Sequence, residues 1–272
     1  MLAESLTTQY AAKGYAVASG LFRSEEIDLL KDHFEAMRRE QVPTGLPKDA
    51  DPLQRYPRLM QTHRHDEVSL RWLLDERLKE HLTGLLGLEP LAVQTMVYFK
   101  PPGARGQALH QDQYYLRVQP GTCMAAWLAL DDCDDANGCL RVVPGSHTWP
   151  LLCTTEADSE QSFTDVTVDL PKGVNAVPVE MRAGDVLFFN GQIVHGSLPN
   201  TTEDRFRRAL IGHYIVGDAE QVYAWYHPVL RMDGSEVTLG ESRAGGTCGT
   251  WVDRDGEVRL ELQPEHVDRS VF

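Results

Sequence analysis

The sequence predicts an α+β chain in which N-terminal helices precede an all-β sandwich or jelly roll. Apolar residues recur at helical spacing through the first ninety residues, and from Leu91 onward they alternate in short runs separated by turn residues. A length of 272 residues suits one large decorated domain. We therefore expect a single domain over residues 1–272, with a helical part at 1–90, a jelly-roll core at 91–216 and a C-terminal extension at 217–272.

Two helical segments are predicted in the first part of the chain. Ser24 is placed to cap a helix that runs to about Arg39, because two glutamates occupy its first turn and complement the helix dipole. Its apolar stripe consists of Ile27, Leu30, Phe34 and Met37. A second helical segment spans about residues 67–86 and ends at Gly87.

The rest of the chain carries strand patterns. Residues 91–100 alternate in polarity and are closed by two prolines and a glycine, as is typical of a strand and its turn. Further strands are predicted over residues 122–130, 140–143, 175–180, 185–189 and 207–216. The last forty residues, with Gly240 and Gly245-Gly246, are interpreted as a hairpin and irregular packing against the barrel.

Composition and charge narrow the possible functions. The chain is 42% apolar and 24% charged, which is ordinary for a globular protein. Its net charge of −14 repels phosphate backbones, so nucleic acid is not an expected partner. No apolar run approaches the roughly 18 residues of a membrane span, and the N-terminus lacks the pattern of a secretory signal. We therefore expect a cytoplasmic protein that does not bind membranes.

The cysteines give a further expectation. The chain has five of them, with no Cys-x-x-Cys pair: Cys123, Cys133, Cys139, Cys153 and Cys248. An odd set without paired spacing favours free thiols in a reducing cytoplasm over a disulfide framework or a zinc site.

One motif carries metal chemistry. His110-Gln111-Asp112 is a His-x-Asp triplet, and residues two apart on an extended strand point to the same side. The best candidate for a third ligand is His195, which follows the apolar strand at 185–189. Two histidines and one carboxylate leave three positions of an octahedron open, which suits ferrous iron. A chance His-x-Asp with no metal role is the alternative.

An arginine pair lies twelve and thirteen residues beyond His195. A buried guanidinium near a metal can bind the far carboxylate of a dicarboxylate with two hydrogen bonds. Arg207 and Arg208 face opposite sides of their predicted strand, and the pattern of apolar neighbours barely separates them. A solvated surface charge is the alternative for either residue.

Several motifs in order resemble the phytanoyl-CoA dioxygenase family, strongly over about residues 90–215. They are LHQD at 109–112, the apolar run at 123–130, NGCLRVVPGSH at 137–147, GDVLFF at 184–189, HGS at 195–197 and Phe206-Arg207. The resemblance implies a double-stranded β-helix, the jelly-roll or cupin-like barrel, with the N-terminal helices packed on it. It also implies that the chain is a dioxygenase that uses Fe(II), 2-oxoglutarate and O2.

The resemblance assigns roles to individual residues. The iron ligands fall on His110, Asp112 and His195, and the 2-oxoglutarate arginine falls on Arg207, one residue further from the distal histidine than in the form of the family that we matched. The remaining matches are Trp127 and Met96, which would line the co-substrate pocket, Arg58, near the co-substrate, and Ser197, within hydrogen-bonding reach of the site. Ordinary barrel packing or a tight turn is the alternative for these positions.

The expected reaction is hydroxylation, oxidative cyclisation or desaturation of a small-molecule metabolite in secondary metabolism. The carboxylate of Asp112 disfavours halogenation, because halogenating relatives lack it and leave that position to halide. The acidic chain favours a neutral or cationic substrate. The alternatives are a metal enzyme of the same fold without 2-oxoglutarate chemistry and a non-catalytic binding protein. The oligomeric state is left open.

One connection is long for a compact domain. Residues 154–174 join two predicted strands, are rich in acidic residues, and contain few apolar ones, among them Phe163. Connections of this length are usually functional or disordered. We hypothesise that this segment is a mobile lid near Tyr114 and Tyr115.

Overall fold

The computed structural model describes residues 4–43, 45–47, 50–243 and 247–263. The helices are α1 (Glu4–Lys13), α2 (Ser24–Gln41), α3 (Pro52–Arg55), α4 (Glu67–Leu73), α5 (Glu76–Leu86) and α6 (Gln113–Leu116). Short 3-10 turns cover Thr62–Arg64, Ser146–Thr148 and Ala224–Tyr226.

The strands follow in chain order, most of them in the second part of the chain. They are β1 (Tyr15–Ala18), β2 (Leu59–Met60), β3 (Leu91–Lys100), β4 (Gln107–His110), β5 (Cys123–Ala129), β6 (Leu140–Val142), β7 (Thr154–Glu156), β8 (Val166–Val168), β9 (Val177–Val179), β10 (Val186–Asn190), β11 (His195–Ser197), β12 (Arg207–Ile215), β13 (Gln221–Tyr223), β14 (Val229–Leu230), β15 (Glu236–Val237), β16 (Gly240–Ser242), β17 (Cys248–Arg254) and β18 (Glu257–Gln263).

Two antiparallel sheets form the barrel. The major sheet has the order β1-β10-β5-β12-β3-β14-β15, with β2 added alongside β3, and the minor sheet has the order β4-β11-β6-β9. Apart from the pairs β14–β15 and β2–β3, neighbouring strands in the two sheets are not consecutive in the chain, as expected when a chain wraps two sheets around one interior. The predicted jelly roll with N-terminal helices is confirmed.

The central strand β5 shows why the core has two layers. All seven of its residues are buried. Ala126 and Leu128 face the helices, where Phe34 and Leu82 cover them, whereas Trp127 faces the barrel interior. Strands covered on both faces lose the polar alternation of a half-exposed strand. Burying each large apolar side chain between helices and sheet contributes about 1.5–3 kcal/mol.

Both predicted helices are present, and each needs one correction, whereas α1 and β1 were not predicted as elements. The first predicted helix is α2, but the residue at its N-cap is Arg23 rather than Ser24, and the backbone N–H of Arg23 donates to the Glu26 carboxylate. The second predicted helix is broken into α4 and α5, because the Asp75 carboxylate accepts the backbone N–H of Arg77 and starts a new helix. Gly87 ends α5 with a positive φ of 80°.

The connection at 154–174 is more ordered than the sequence suggested. It contains the short antiparallel hairpin β7–β8, with Glu156 opposite Val166. Its tip is held by backbone bonds to Gly106, at 2.8 Å from the Gly106 nitrogen to the Gln161 oxygen and 3.0 Å from the Phe163 nitrogen to the Gly106 oxygen. We call residues 154–168 the covering hairpin.

The C-terminal extension packs on the barrel through the hairpin β17–β18. Trp251 of β17 meets Trp149 edge to face, with ring centroids 5.0 Å apart. The glycine pair at 245–246 and the terminal residues 264–272 lie outside the described residues. Among the residues that are described, no helix is long and apolar enough to cross a membrane.

The expectation of five free thiols is wrong for two of them. Cys153 and Cys248 form a disulfide across 95 residues of sequence, which ties β17 to the start of the covering hairpin. Cys123, Cys133 and Cys139 are free and buried. Sequence spacing could not reveal the pair, because the two cysteines meet only after the C-terminal hairpin folds back on the barrel.

We expect the double variant Cys153→Ser, Cys248→Ser to unfold more easily than the oxidised wild type. Cross-linking a loop of this length restricts the unfolded chain, and native disulfides typically contribute about 2–4 kcal/mol. Urea unfolding with and without reductant measures the difference in free energy of unfolding. Reductant should lower the stability of the wild type and leave the variant unchanged. Identical wild-type curves in both conditions would contradict the expectation.

Candidate active site

Three elements place the candidate metal ligands around one point. His110 is the last residue of β4, His195 is the first residue of β11, and the two face each other in the antiparallel register of these strands. Asp112 follows in the turn that precedes α6. The minor sheet therefore brings together residues that are 85 positions apart in sequence.

The predicted reason for the His-x-Asp geometry was incorrect in detail. Asp112 is not in an extended strand, since its φ of −62° and ψ of −32° are helical. The chain leaves β4 after His110 and turns into α6. The carboxylate nevertheless points at the two imidazoles, because this turn folds back toward β11.

The ligand atoms of the triad are close enough to hold one ion. One candidate atom from each of His110, Asp112 and His195 lies within 4.8 Å of the others, and all three residues are buried. Asp112 Oδ1 is 3.4 Å from His110 Nε2 and 3.7 Å from His195 Nε2. Two nitrogens and one carboxylate oxygen are a donor set that suits ferrous iron with open positions.

The histidine rings are oriented by their own strands. Nδ1 of His110 lies 2.9 Å from the carbonyl oxygen of Ala108, and Nδ1 of His195 lies 3.1 Å from that of Ile193. Each Nδ1–H donates to a backbone carbonyl, which leaves Nε2 unprotonated and facing the centre of the triad. This is the orientation that a metal-binding histidine requires.

Electrostatics keep the triad in a metal-binding state. Burial lowers the pKa of His195 to about 4, so its imidazole is neutral at neutral pH. Burial would raise the pKa of Asp112, but the neighbouring imidazoles of His195 and His213 hold that pKa well below its usual range. A deprotonated carboxylate beside the neutral His195 imidazole is ready to ligate a cation.

A cavity of about 280 Å³ opens at the triad, and we call it the central pocket. The structure brings all eight sequence-predicted site residues to its wall. They are Arg58, Met96, His110, Asp112, Trp127, His195, Ser197 and Arg207.

The two arginines of β12 lie on opposite faces of the strand. Arg207 is buried and lines the pocket. Its Nε donates to the carbonyl oxygen of Gly138 at 3.0 Å, and its Cζ lies 5.5 Å from the centroid of the Trp127 ring. Among the described residues no carboxylate forms an ion pair with it. Arg208 points the other way and binds Asp131 at 2.8 Å.

A buried lysine lies beside Arg207. Lys100 of β3 is opposite Arg207 in the register, and its Nζ donates to the Ser197 hydroxyl at 2.8 Å and to the Leu198 carbonyl at 2.7 Å. Burial and the neighbouring guanidinium hold the pKa of Lys100 well below its usual range. The Ser197 oxygen also accepts the backbone N–H of Gln107, so its own proton is left to donate elsewhere.

Aromatic side chains surround the mouth of the pocket. The exposed Arg58 guanidinium lies 4.7 Å from the ring centroid of Phe163, at the tip of the covering hairpin. Trp225 and Tyr226 come from the 3-10 turn after β13. The mouth therefore combines one cation with several rings.

Sequence reasoning missed several residues in or near the pocket, among them His213, Lys100 and Gln107. His213 shares the inward face of β12 with Arg207, and Lys100 shares the inward face of β3 with Met96, so strand alternation alone could have indicated both. Gln107 Nε2 lies 3.1 Å from His110 Nε2. No pattern in the sequence distinguished it.

The fold and the triad together define a class, the non-haem iron oxygenases with two histidines and one carboxylate. A sequence model of the phytanoyl-CoA dioxygenase (PhyH) family matches residues 10–209. The chain belongs to the phytanoyl-CoA dioxygenase family, and the resemblance predicted from its motifs is confirmed.

Curated relatives agree with this assignment. The chain is similar to phytanoyl-CoA dioxygenase 1 of Oryza sativa subsp. japonica, at 32% identity over 56% of this chain and 54% of that protein. It is also similar to the peroxisomal phytanoyl-CoA dioxygenase of Rattus norvegicus, at 27% identity over 78% of this chain and 68% of that protein. The matches thus span about half to two thirds of these relatives.

Solved structures share the fold. EvdO2 from Micromonospora carbonacea var. aurantiaca, complexed with 2-oxoglutarate, superposes with a TM-score of 0.65 at 21% identity over 80% of this chain and 92% of its own. The epimerase SnoN, in complex with Fe3+, alpha ketoglutarate and nogalamycin RO, superposes with a TM-score of 0.66 at 19% identity over 95% of this chain and 97% of its own.

Proposed function

We propose that this chain is an Fe(II)- and 2-oxoglutarate-dependent dioxygenase that oxidises a small-molecule metabolite. The observation that carries the proposal is the shared pocket, in which a buried triad of metal-binding residues and a buried arginine without an ion pair among the described residues line one cavity. Family membership supports the same reaction class.

The residues present fit the cofactor and co-substrate. His110 Nε2, His195 Nε2 and Asp112 Oδ1 would hold ferrous iron, since these atoms already converge. Arg207 would bind the distal carboxylate of 2-oxoglutarate through its guanidinium fork.

Other pocket residues would position the co-substrate. The Ser197 hydroxyl would donate its free proton to a carboxylate oxygen, and Trp127 and Met96 would pack along the carbon chain. The positive charges of Arg207 and Arg58 favour a dianionic co-substrate.

The protein supplies positioning and a shielded pocket for the chemistry. Iron, 2-oxoglutarate and O2, when bound together, supply the oxidation and release succinate and CO2. The buried rings of Phe189 and Tyr226 make the pocket wall beside the triad apolar, and the bonds to Ala108 and Ile193 would restrict rotation of the ligand histidines.

The substrate is proposed only as a class. We infer hydroxylation, oxidative cyclisation or desaturation of a secondary metabolite, and the similarity to SnoN, which was crystallised with nogalamycin RO, supports this direction. The net charge favours a neutral or cationic compound. Among the described residues Asp112 is the only carboxylate in the pocket wall, so a cationic group would find no free partner and the lining supports the neutral choice.

A coupled assay tests the proposal. Purified protein with Fe(II) and 2-oxoglutarate is offered neutral, cationic and anionic metabolites, while succinate release and the mass change of each metabolite are measured. We expect substrate-dependent succinate formation that stops when 2-oxoglutarate is omitted. Substrate conversion without 2-oxoglutarate, or with zinc in place of iron, would instead favour a metal enzyme of the same fold.

We further propose that the covering hairpin acts as a lid over the substrate. Its tip places Phe163 and Thr164 in the pocket wall, and the Ser162 hydroxyl accepts the backbone N–H of Ala108, two residues before the first ligand histidine. A lid excludes water and completes the site when substrate binds.

We expect Phe163→Ala, or replacement of residues 158–164 by a two-residue turn, to uncouple the reaction. Iron and 2-oxoglutarate binding should persist, while product formed per succinate falls to roughly half or less because the open pocket admits water. Thr155→Ala is the matched control, since this exposed hairpin residue does not line the central pocket. Fully coupled turnover in the shortened protein would show that the hairpin is not a lid.

A further inference from the structure

A histidine outside the triad contacts the candidate metal-ligand carboxylate. His213 of β12 is buried and lines the central pocket, on the same inward strand face as Arg207. Its Nε2 lies 3.0 Å from Asp112 Oδ2. The two residues are 101 positions apart in sequence, and β12 brings them together across the barrel interior.

The two oxygens of Asp112 have different surroundings. Oδ1 faces His110 and His195, at 3.4 Å and 3.7 Å from their Nε2 atoms, whereas Oδ2 faces His213. Two acceptors at 3.0 Å would repel each other, so His213 Nε2 carries a proton and donates it to Oδ2. The carboxylate is thereby turned with one oxygen toward the triad centre and the other toward β12.

The local backbone does not hold this carboxylate. Asp112 occupies the N-cap of α6, where an aspartate commonly accepts a backbone N–H, but its side chain makes no such bond. α6 is only four residues long. Among the described residues, His213 is the one hydrogen-bond donor to Oδ2, so the orientation of the carboxylate depends on β12 rather than on its own turn.

The ring of His213 has no competing hydrogen bond. Its Nδ1 is buried and has no partner among the described residues. The hydrogen bond to Asp112 is therefore the polar contact that fixes the ring. A buried polar pair with a single shared bond is sensitive to the loss of either member.

We propose that His213 is a positioning residue that holds Asp112 in one-oxygen ligation and keeps Oδ2 away from the metal. This inference rests on the proposed function as far as the oxidation is concerned. Its claim about metal binding can be tested without that reaction. A carboxylate free to rotate would no longer hold Oδ1 toward the centre of the triad, so the site would lose the arrangement that favours metal binding. Partners of metal-ligating carboxylates typically change metal affinity 10–100-fold when removed.

Metal titration of the purified protein tests the inference without turnover. Co(II) is added anaerobically to the metal-free protein, and binding is followed by visible absorption. We expect His213→Leu to weaken Co(II) binding about 10–100-fold. His213→Gln, whose amide nitrogen replaces Nε2 as a donor, should remain within about threefold of the wild type.

The control and the fallback variants both lie on β12. Tyr214→Phe removes a buried bond from the Tyr214 hydroxyl to the Leu73 carbonyl on the opposite face of β12. It should lower the melting temperature and leave Co(II) affinity unchanged. If His213→Leu does not fold, His213→Asn serves instead, since its amide is too short to reach Oδ2 and should bind Co(II) at least about tenfold more weakly than His213→Gln.

Two results would overturn the inference. One is wild-type Co(II) affinity in a folded His213→Leu or His213→Asn protein. The other is an equal loss in His213→Gln. The proposed function fails by a different result, the absence of 2-oxoglutarate consumption by the wild type, which leaves the comparison of Co(II) affinities intact.

Discussion

Asp112→Ala and His195→Ala are each expected to reduce 2-oxoglutarate-dependent oxidation to the background of the assay. Each variant removes one of three converging donors and leaves a gap in a buried site. The double variant should be no worse than either single one, because residues that act as a unit give non-additive losses.

The measurement is succinate release together with metal content after gel filtration. His65→Ala is the control, because His65 is exposed and lies outside the central pocket. It should retain normal turnover and iron. Near-normal oxidation by either ligand variant would rule out the proposed triad.

Arg207→Ala is expected to raise the KM for 2-oxoglutarate about a hundredfold or more, since removing one partner of a buried charge pair commonly costs about 3–5 kcal/mol. Metal affinity should not change, because Arg207 is not one of the converging ligands. Arg207→Lys should restore only part of the affinity, because a lysine cannot make the two parallel bonds of a guanidinium.

Arg208→Ala provides the matched control from the next residue of the same strand. Arg208 binds Asp131 and approaches Glu35 of α2 on the outer face, so its loss should lower the melting temperature and leave the KM for 2-oxoglutarate within about twofold. The opposite outcome, with Arg208→Ala raising the KM and Arg207→Ala leaving it unchanged, would move the anchor to Arg208.

Local patterns predicted most of the fold. The alternation in residues 91–100 and the apolar run at 123–130 gave β3 and β5 nearly to the residue, since both strands are long and buried. The break between α4 and α5 was missed because it depends on a single capping aspartate. The covering hairpin was missed because its two strands are each only three residues long, and β7 contains no apolar residue.

The site was predictable only in part, for a physical reason. His110 and Asp112 are neighbours in sequence, and a motif can expose such a pair. The partnership of Asp112 with His213, and that of Arg207 with Lys100, exist only through the order of strands in the major sheet. A single sequence does not reveal the order of the strands, so these two contacts could be found only in the three-dimensional structure.

The side chains of β12 alternate between an inward and an outward face, and this alternation limits where homologues can gain or lose residues. The loop at 198–206 can gain or lose residues at a small entropic cost, since even doubling a loop costs only about 0.6 kcal/mol. An insertion inside β12 would instead exchange the inward and outward faces of every residue beyond it. The separation between His195 and the proposed anchor Arg207 can therefore vary among homologues, while the strand face that carries the arginine cannot. In homologues, the arginine proposed to bind 2-oxoglutarate should be sought on the strand face that also carries the inward-facing residues of β12. A fixed number of residues after the distal histidine is a weaker guide.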